Sequence, residues 1–484
     1  MDLLGRHPGE PMAKVDTAWL RMERPTNLMM ITGVLMLGSR LSLDKLKRLL
    51  EERWLAYRRF RQKAVDTQAG AYWQDDEDFD IDWHVRLSGL PGKAGKAELQ
   101  RLVSQLASTP LDHSKPLWQF HLVDRYGEGC ALITRIHHCY ADGIALVQVM
   151  LSLTDVVAKP KRGHALHERW LKKDGHKVTQ RFFGPAAQQW EQAMKMGSKL
   201  MHKGLELYQH PQVAATLAKE AGSIAGELAH AVSLPDDPDT SLKGPLGVSK
   251  RCTWIDPLPL DDVKAVSRAF GCTVNDVLLA AAAGAIRHYL HGRGEDVDGL
   301  GIRATVPVNL RPLEHAKKLG NHFGLVFLDL PIGVDNPIDR VKAVAWSMLE
   351  LKSSKQAMVV YGVLGALGMA PVGVQRAALE LFSRKASTVA TNVPGPQMPL
   401  YLAGAPVEDM MFWVPQTGSI GLGLSILSYQ GKVSFGVIAD GRRIKDPEPI
   451  VTRFREEFEQ LVYVSLLSDW DAVPERDVVR CAVG

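Results

Sequence analysis

Apolar residues change their period many times along this chain, and each change marks an element. From Met29 to Leu37 they run almost unbroken, as in a buried strand; from Leu43 to about Tyr57 they recur every three or four positions, setting Leu46, Leu49, Leu50 and Trp54 on one helical face. Pro11 to Leu20 opens with a capped helical turn, Tyr72-Trp73 and Ile81 to Val85 alternate like strands, and Lys96 to Ser108 is helical in pattern. Lys115 to Val123 and Ala131 to Ile136 are strand-like again, and after Asp142-Gly143 a helical period runs to about Val157. Helical text continues to about Val232, where Leu234-Pro235-Asp236-Asp237-Pro238 breaks it. The mixture then starts over. Strands are predicted at Lys250 to Trp254, Thr305 to Leu310, Leu325 to Leu330, Ile420 to Leu427 and Val433 to Ala439, with helices at Leu260 to Phe270, after Thr273, and from Glu448 to Leu467. Two successive strand and helix mixtures predict an α/β (α+β) protein of two similar lobes, each a mixed sheet flanked by helices. The expected division is 1–157 for the first lobe, 158–247 for a basic helical crossover, 248–470 for the second lobe and 471–484 for a tail.

Composition narrows the class. A chain of 484 residues with 46% hydrophobic content can build a large core, and a formal charge of +4 gives no reason to expect nucleic acid. Five scattered cysteines, Cys130, Cys139, Cys252, Cys272 and Cys481, argue against a disulfide framework and fit a reducing cytoplasm. Residues 1–30 carry no pattern of a secretion signal. Ala357 to Val374 has no charged residue over 18 positions, but Gly362, Gly365, Gly368, Pro371 and Gly373 suit a close-packed helix face, or a wall left open for an apolar ligand, better than a membrane span. Lys159 to Arg181 holds eight Lys or Arg against two acids. This segment is either a solvated linker, a contact for a membrane or lipid-body surface, or a contact for coenzyme A phosphates.

The chemistry concentrates at His137-His138-Cys139-Tyr140-Ala141-Asp142-Gly143, where a strand ends and a helix begins. A rigid strand fixes a residue while the loop keeps it reachable, and an imidazole is the side chain that takes and returns a proton near neutral pH. Asp142 has a local explanation as the cap of the following helix or one half of an ion pair, besides any direct chemical role. The histidines admit a plain polar pair or metal ligation, but no Cys or His cluster lies nearby and no metal is expected. As a whole, His-His-x-x-x-Asp-Gly should arise by accident on the order of once in a thousand such chains.

This stretch resembles the HHxxxDG signature of acyl-CoA-dependent acyltransferases, specifically the bacterial wax ester synthase/diacylglycerol acyltransferase family. The likeness extends over nearly the whole chain, through Asp16-Thr17-Ala18-Trp19, Pro116-Leu117-Trp118, Asn275-Asp276 and Asn392-Val393-Pro394-Gly395-Pro396. It implies a chloramphenicol-acetyltransferase-like fold, with His138 as general base and His137 shaping the loop. It further implies that Asn275 and Asp276 lie near that base, Asn275 holding an oxyanion or orienting the imidazole, and that Arg311 pairs with Asp142 while Gly143 supports the turn. Thr391, Asn392 and Gly365, with Ser387 as a further option, are the expected ligand contacts. The implied reaction moves a long-chain acyl group from acyl-CoA to a fatty alcohol or a diacylglycerol, with no cofactor beyond the coenzyme A thioester that is itself substrate. Trp118 is expected to brace the histidine strand from the core. Inside the motif the rival is covalent catalysis by Cys139, although neighbours on extended backbone point to opposite faces. Outside it, the alternatives are an acyltransferase fed by a carrier protein and a non-enzymatic lipid-binding or droplet-coating protein. A serine esterase is disfavoured because no Gly-x-Ser-x-Gly elbow occurs.

Overall fold

Two seven-stranded sheets organise the chain, as the doubled pattern predicts. The computed structural model describes residues 9–68, 70–159, 234–310, 319–353 and 356–467. Most of the crossover, Arg311, Cys481 and the tail lie outside the described residues.

The first sheet runs Val85–Ser88, Trp118–Tyr126, Gly129–His137, Met30–Leu37, Ala405–Trp413, Tyr401–Leu402 and Thr154–Asp155. Its central strand is Met30–Leu37, and beside it lies the histidine strand, Gly129–His137, all nine residues of which are buried. That explains the unbroken apolar text of this strand and of Met30–Leu37 beside it, since a strand covered on both faces loses the alternation of a half-exposed one. Register sets Met30 opposite His137 and Trp118 opposite Ile136. Trp118 is fully buried, donates from Nε1 to the Phe60 carbonyl at 2.8 Å, and meets Trp54, Phe60, Phe120 and His84 in one aromatic cluster beneath the strand's end. Strand Ala405–Trp413 comes from beyond residue 248 yet pairs with Met30–Leu37, so a division of the chain at that point does not divide the sheets.

In the second sheet Leu258–Pro259, Lys432–Asp440, Leu422–Tyr429, Thr388–Pro394, Ile302–Asn309 and Phe323–Leu330 follow one another, and Lys250–Trp254 also pairs with Lys432–Asp440. The buried helix Val274–His291 packs beside it; a Cβ on Gly284 would overlap the buried Arg340–Glu457 ion pair, so glycine here makes room for that pair. A small sheet of Glu10–Pro11, Gly70–Asp75 and Gln62–Thr67 covers the start of the first lobe.

Three local expectations are corrected. Ile81–His84 is a helical turn and the strand begins at Val85, because Asp80 caps the turn by accepting from Asp82 N at 2.8 Å while His84 stacks on Trp118. The helix after the motif stops at Ser152: Arg53 reaches the Leu153 carbonyl and Asp155, and Thr154–Asp155 leaves to pair with Tyr401–Leu402. The helix predicted from Leu43 to about Tyr57 is α-helical over Leu43–Leu49 and widens to a π turn over Leu50–Trp54, which keeps Leu46, Leu49, Leu50 and Trp54 all buried. The uncharged run at 357–374 is divided between helices Gln356–Leu367 and Val372–Arg384, with Pro371 capping the second. Among the described residues no single helix is long and apolar enough to cross a membrane.

Candidate active site

The motif leaves the histidine strand in a tight, fully stitched loop. Tyr140 N donates to the His137 carbonyl at 3.2 Å, and the buried Tyr140 hydroxyl donates to Gln62 O at 2.6 Å while accepting from Leu117 N. Asp142 caps helix Gly143–Ser152, its Oδ1 accepting from Ala145 N at 2.8 Å, and its Oδ2 accepts from His322 N at 3.0 Å. Gly320 N donates to Tyr140 O and Asp142 N to Gly320 O, so the loop is hydrogen-bonded to a segment some 180 residues on. A Cβ on Gly143 would meet nothing within 4 Å, which leaves open space beside the first turn of the helix.

The two histidines have different surroundings. His137 is completely buried; its Nδ1 accepts from Cys139 N at 3.1 Å, which places its proton on Nε2, 2.9 Å from Glu23 Oε2. Burial alone would raise the Glu23 carboxyl, but hydrogen bonds from His113 and His137 outweigh it and hold the group far below the usual carboxylate range. His137 is thus tied down at both nitrogens.

His138 is 4% exposed, with its ring stacked on Trp19 at 4.3 Å and tilted against Phe323 at 5.4 Å. Its Nδ1 lies 2.9 Å from Asn321 Oδ1, and Asn321 Nδ2 donates both to the His138 carbonyl and to Asp16 Oδ1, each at 2.8 Å. Burial pushes the imidazole down to about 4, against the pull of Asp142 and of its hydrogen bonds, so the ring is uncharged near neutral pH. Burial pushes the Cys139 thiol well above its ordinary value, with Asp16 and Glu23 adding to the effect.

Of the other expected residues, Asn275 accepts from Asn392 Nδ2 at 2.7 Å and its own Nδ2 faces Met348 Sδ at 3.8 Å. Asp276 is engaged in a capping box with Thr273, and Thr391 is buried within 3.4 Å of the Leu424 carbonyl and Ser425 Oγ. Ser387 hydrogen-bonds the buried Asp237, a fully interior contact. Gly365 lies on helix Gln356–Leu367 facing Val15, at ordinary contact distance. The Asp142–Arg311 pair lies outside the described residues. Asp16, Trp19, Glu23, Asn321 and Phe323 are the residues to which sequence reasoning attached no role. The signal for two of them is present: Asp16 and Trp19 stand three apart, hence on one helical face, and both are buried.

The family model for the wax ester synthase/diacylglycerol acyltransferase catalytic domain matches residues 12–278, and the model for the WS/DGAT C-terminal domain matches residues 319–462. A Mycobacterium tuberculosis protein named "Probable diacylglycerol O-acyltransferase" is 28% identical over 398 residues, covering 81% of each chain. The solved wax ester synthase/diacylglycerol acyltransferase from Marinobacter aquaeolei VT8 superposes with a TM-score of 0.66 at 22% identity, over 94% of this chain and 99% of its own. The first condensation domain of the calcium-dependent antibiotic synthetase shares the fold at a TM-score of 0.58 and 15% identity, over 98% of this chain and 99% of its own.

Proposed function

Because the chain belongs to the wax ester synthase/diacylglycerol acyltransferase family, and is thereby an acyltransferase, we propose that it moves a long-chain acyl group from acyl-CoA to the hydroxyl of a fatty alcohol or a diacylglycerol, with His138 as general base. The observation that carries the assignment is the imidazole itself: uncharged, held through Nδ1, and set where the strand end of the first sheet meets residues 320–323, which lead into strand Phe323–Leu330 of the second. Its Nε2 takes the alcohol proton as the alcohol oxygen attacks the thioester carbonyl. The tetrahedral intermediate then collapses, the C–S bond breaks, and the proton passes from Nε2 to the departing thiolate. No bond to the enzyme forms. Asp142 keeps the loop closed, and His137 anchors it through Glu23. Donors aimed at the oxyanion are worth a few kcal/mol in reactions of this kind. Asn275 is one candidate, and Trp19 Nε1, buried beside the imidazole without a hydrogen-bond partner among the described residues, is the other.

The test is thiol release from palmitoyl-CoA by the purified full chain, with hexadecanol, a diacylglycerol and no acceptor run in parallel. His138→Ala is expected to fold and to be inactive. Cys139→Ala is expected to stay active, since a buried thiol with a raised pKa is no nucleophile at neutral pH. Undiminished release by His138→Ala would remove the base, and loss of turnover in a folded Cys139→Ala would favour a covalent route.

We also propose that the enzyme works at a lipid surface. In support, Met369, Val372 and Val374 are 60%, 40% and 54% exposed at the junction of two helices, within the run that has no charged residue, and the cationic Lys14 and Arg376 are exposed beside it in sequence or in packing.

A further inference from the structure

We propose that Asp16 and Asn321 are positioning residues that hold His138 in its Nδ1-protonated tautomer and steady the imidazolium as it forms, the Asn321 amide relaying the influence of the Asp16 carboxyl to the ring. The proposal rests on His138 being the base. It brings together the opening helix, the motif and the start of the second lobe's edge strand.

The amide orientation follows from its partners. Asn321 Nδ2 has two protons, and the two atoms it faces, Asp16 Oδ1 and the His138 carbonyl oxygen, only accept. Turned over, the amide would set oxygen against both. The atom 2.9 Å from His138 Nδ1 is therefore Asn321 Oδ1, which accepts, and Nδ1 must carry the proton. The lone pair is left on Nε2, where a substrate hydroxyl needs it. Asp16 Oδ1 also accepts from Asn321 N at 2.9 Å, so a single carboxyl oxygen fixes both ends of the asparagine. Trp19, three residues after Asp16 on the same helix, lies flat on the imidazole, while His138 N donates to Met29 O at 2.7 Å. The stack holds the ring at its face, the Asn321 contact holds it at its edge, and the Met29 bond fixes the backbone beneath it.

When Nε2 gains a proton the ring becomes cationic, and an amide oxygen polarised by a carboxylate on its far side stabilises that charge. Asp16 is 5% exposed. Burial raises its pKa to about 7, opposed by the hydrogen bonds from Asn321 and by Arg59, and reinforced by Asp142. The groups turned toward it among the described residues are Arg59, Asp142, His138, Cys139 and, across Gly320, His322; helix Gln356–Leu367, packed on the opening helix, brings no charge. The carboxyl therefore changes charge near neutrality, whereas the imidazole stays neutral there. Turnover should fall toward acid with the titration of Asp16.

The experiment measures kcat and KM for palmitoyl-CoA and hexadecanol with the full chain from about pH 5 to about pH 9. Asn321→Ala is expected to lose about 100-fold in kcat with KM nearly unchanged. Asp16→Asn should lack the acid limb near neutrality. The exchanged pair, Asp16→Asn with Asn321→Asp, keeps one amide and one carboxylate and should recover part of the lost kcat. A readout independent of the folding of these variants is 15N NMR of histidine-labelled wild type, with His138→Gln identifying the signal; a protonated Nδ1 and a bare Nε2 are expected. The proposal is overturned by a protonated Nε2, or by wild-type kcat and pH profile in Asn321→Ala and Asp16→Asn. If those two variants are unaffected while His138→Ala is dead, only the relay falls; if His138→Ala is active, the base falls with it.

Discussion

Two carboxyls flank the catalytic loop, Asp16 buried and Glu23 half-buried, and they are pushed in opposite directions. Glu23 receives hydrogen bonds from two imidazoles, which outweigh burial, and His113 is raised in return by the same contact. Asp16 receives them from a neutral amide and a backbone N–H, so burial wins. The consequence for stability has a definite sign. Between about pH 4 and about pH 7 folded Asp16 keeps a proton that the unfolded chain has released, so this group lowers stability as pH rises through that window, by roughly 4 kcal/mol at most once above it. Asp16→Asn should therefore melt higher than the parent at pH 8 and close to it at pH 4, while losing activity. A scanning calorimeter that finds the same difference at both values would show that the carboxyl ionises freely. Glu23 works the other way, since its stabilising effect is complete above the ordinary carboxylate range and is lost only in strong acid.

At the scale of elements, the opening helix Lys14–Met22 presents both Asp16 and Trp19 to the site, so its seat matters to the chemistry. That seat is glycine-dependent. A Cβ on Gly368 would stand 1.7 Å from the Lys14 carbonyl oxygen, whereas one on Gly362 would meet nothing within 4 Å. Gly368→Ala must push the two elements apart and is expected to cost about 1–3 kcal/mol of stability together with part of kcat. Gly362→Ala, mid-helix and unobstructed, should gain roughly 0.5–1 kcal/mol from helix propensity and leave kcat alone. Equal melting temperatures and activities for the two variants would show that the close approach is not what seats the helix. The expectation that these glycines serve close packing thus holds at Gly368, and Gly362 has room to spare.

Across the whole molecule, the halves are interlocked rather than juxtaposed. Strand Ala405–Trp413 completes the first sheet, and Lys250 Nζ joins Asp440 at 2.7 Å to the Thr26 carbonyl at 2.7 Å, tying the two halves beside the loop that precedes the first long strand. The uncharged tip at Met369, Val372 and Val374 is an outward feature that such a body could set against lipid. Vesicles of phosphatidylcholine and phosphatidylglycerol should carry down the full chain on centrifugation. The double change Val372→Asp and Val374→Asp is expected to weaken that partition by about tenfold or more, since burying one valine is worth ~1.5–3 kcal/mol. Turnover of short, soluble acyl-CoA and alcohol should be unaffected. Unaltered sedimentation of the double variant would exclude this surface.

What the amino-acid order determined alone was a set of features that depend on neighbours in the chain: the buried strands, the helical faces, the motif at a strand end, and the Asp142 cap. Periodicity reports burial, and a cap spans three residues, so both are legible locally. Where a competing contact won, a local cap at Asp80 and a distant strand partner at Thr154–Asp155, the pattern misled. Only the tertiary structure decided which polar atoms meet. Asn321 stands 183 residues from His138 and 305 from Asp16, and no repeat or spacing encodes a hydrogen bond between segments that separate strands bring together. The pairing is set by the packing of two sheets around one seam, which is a property of the assembled surface and not of any stretch that contributes to it.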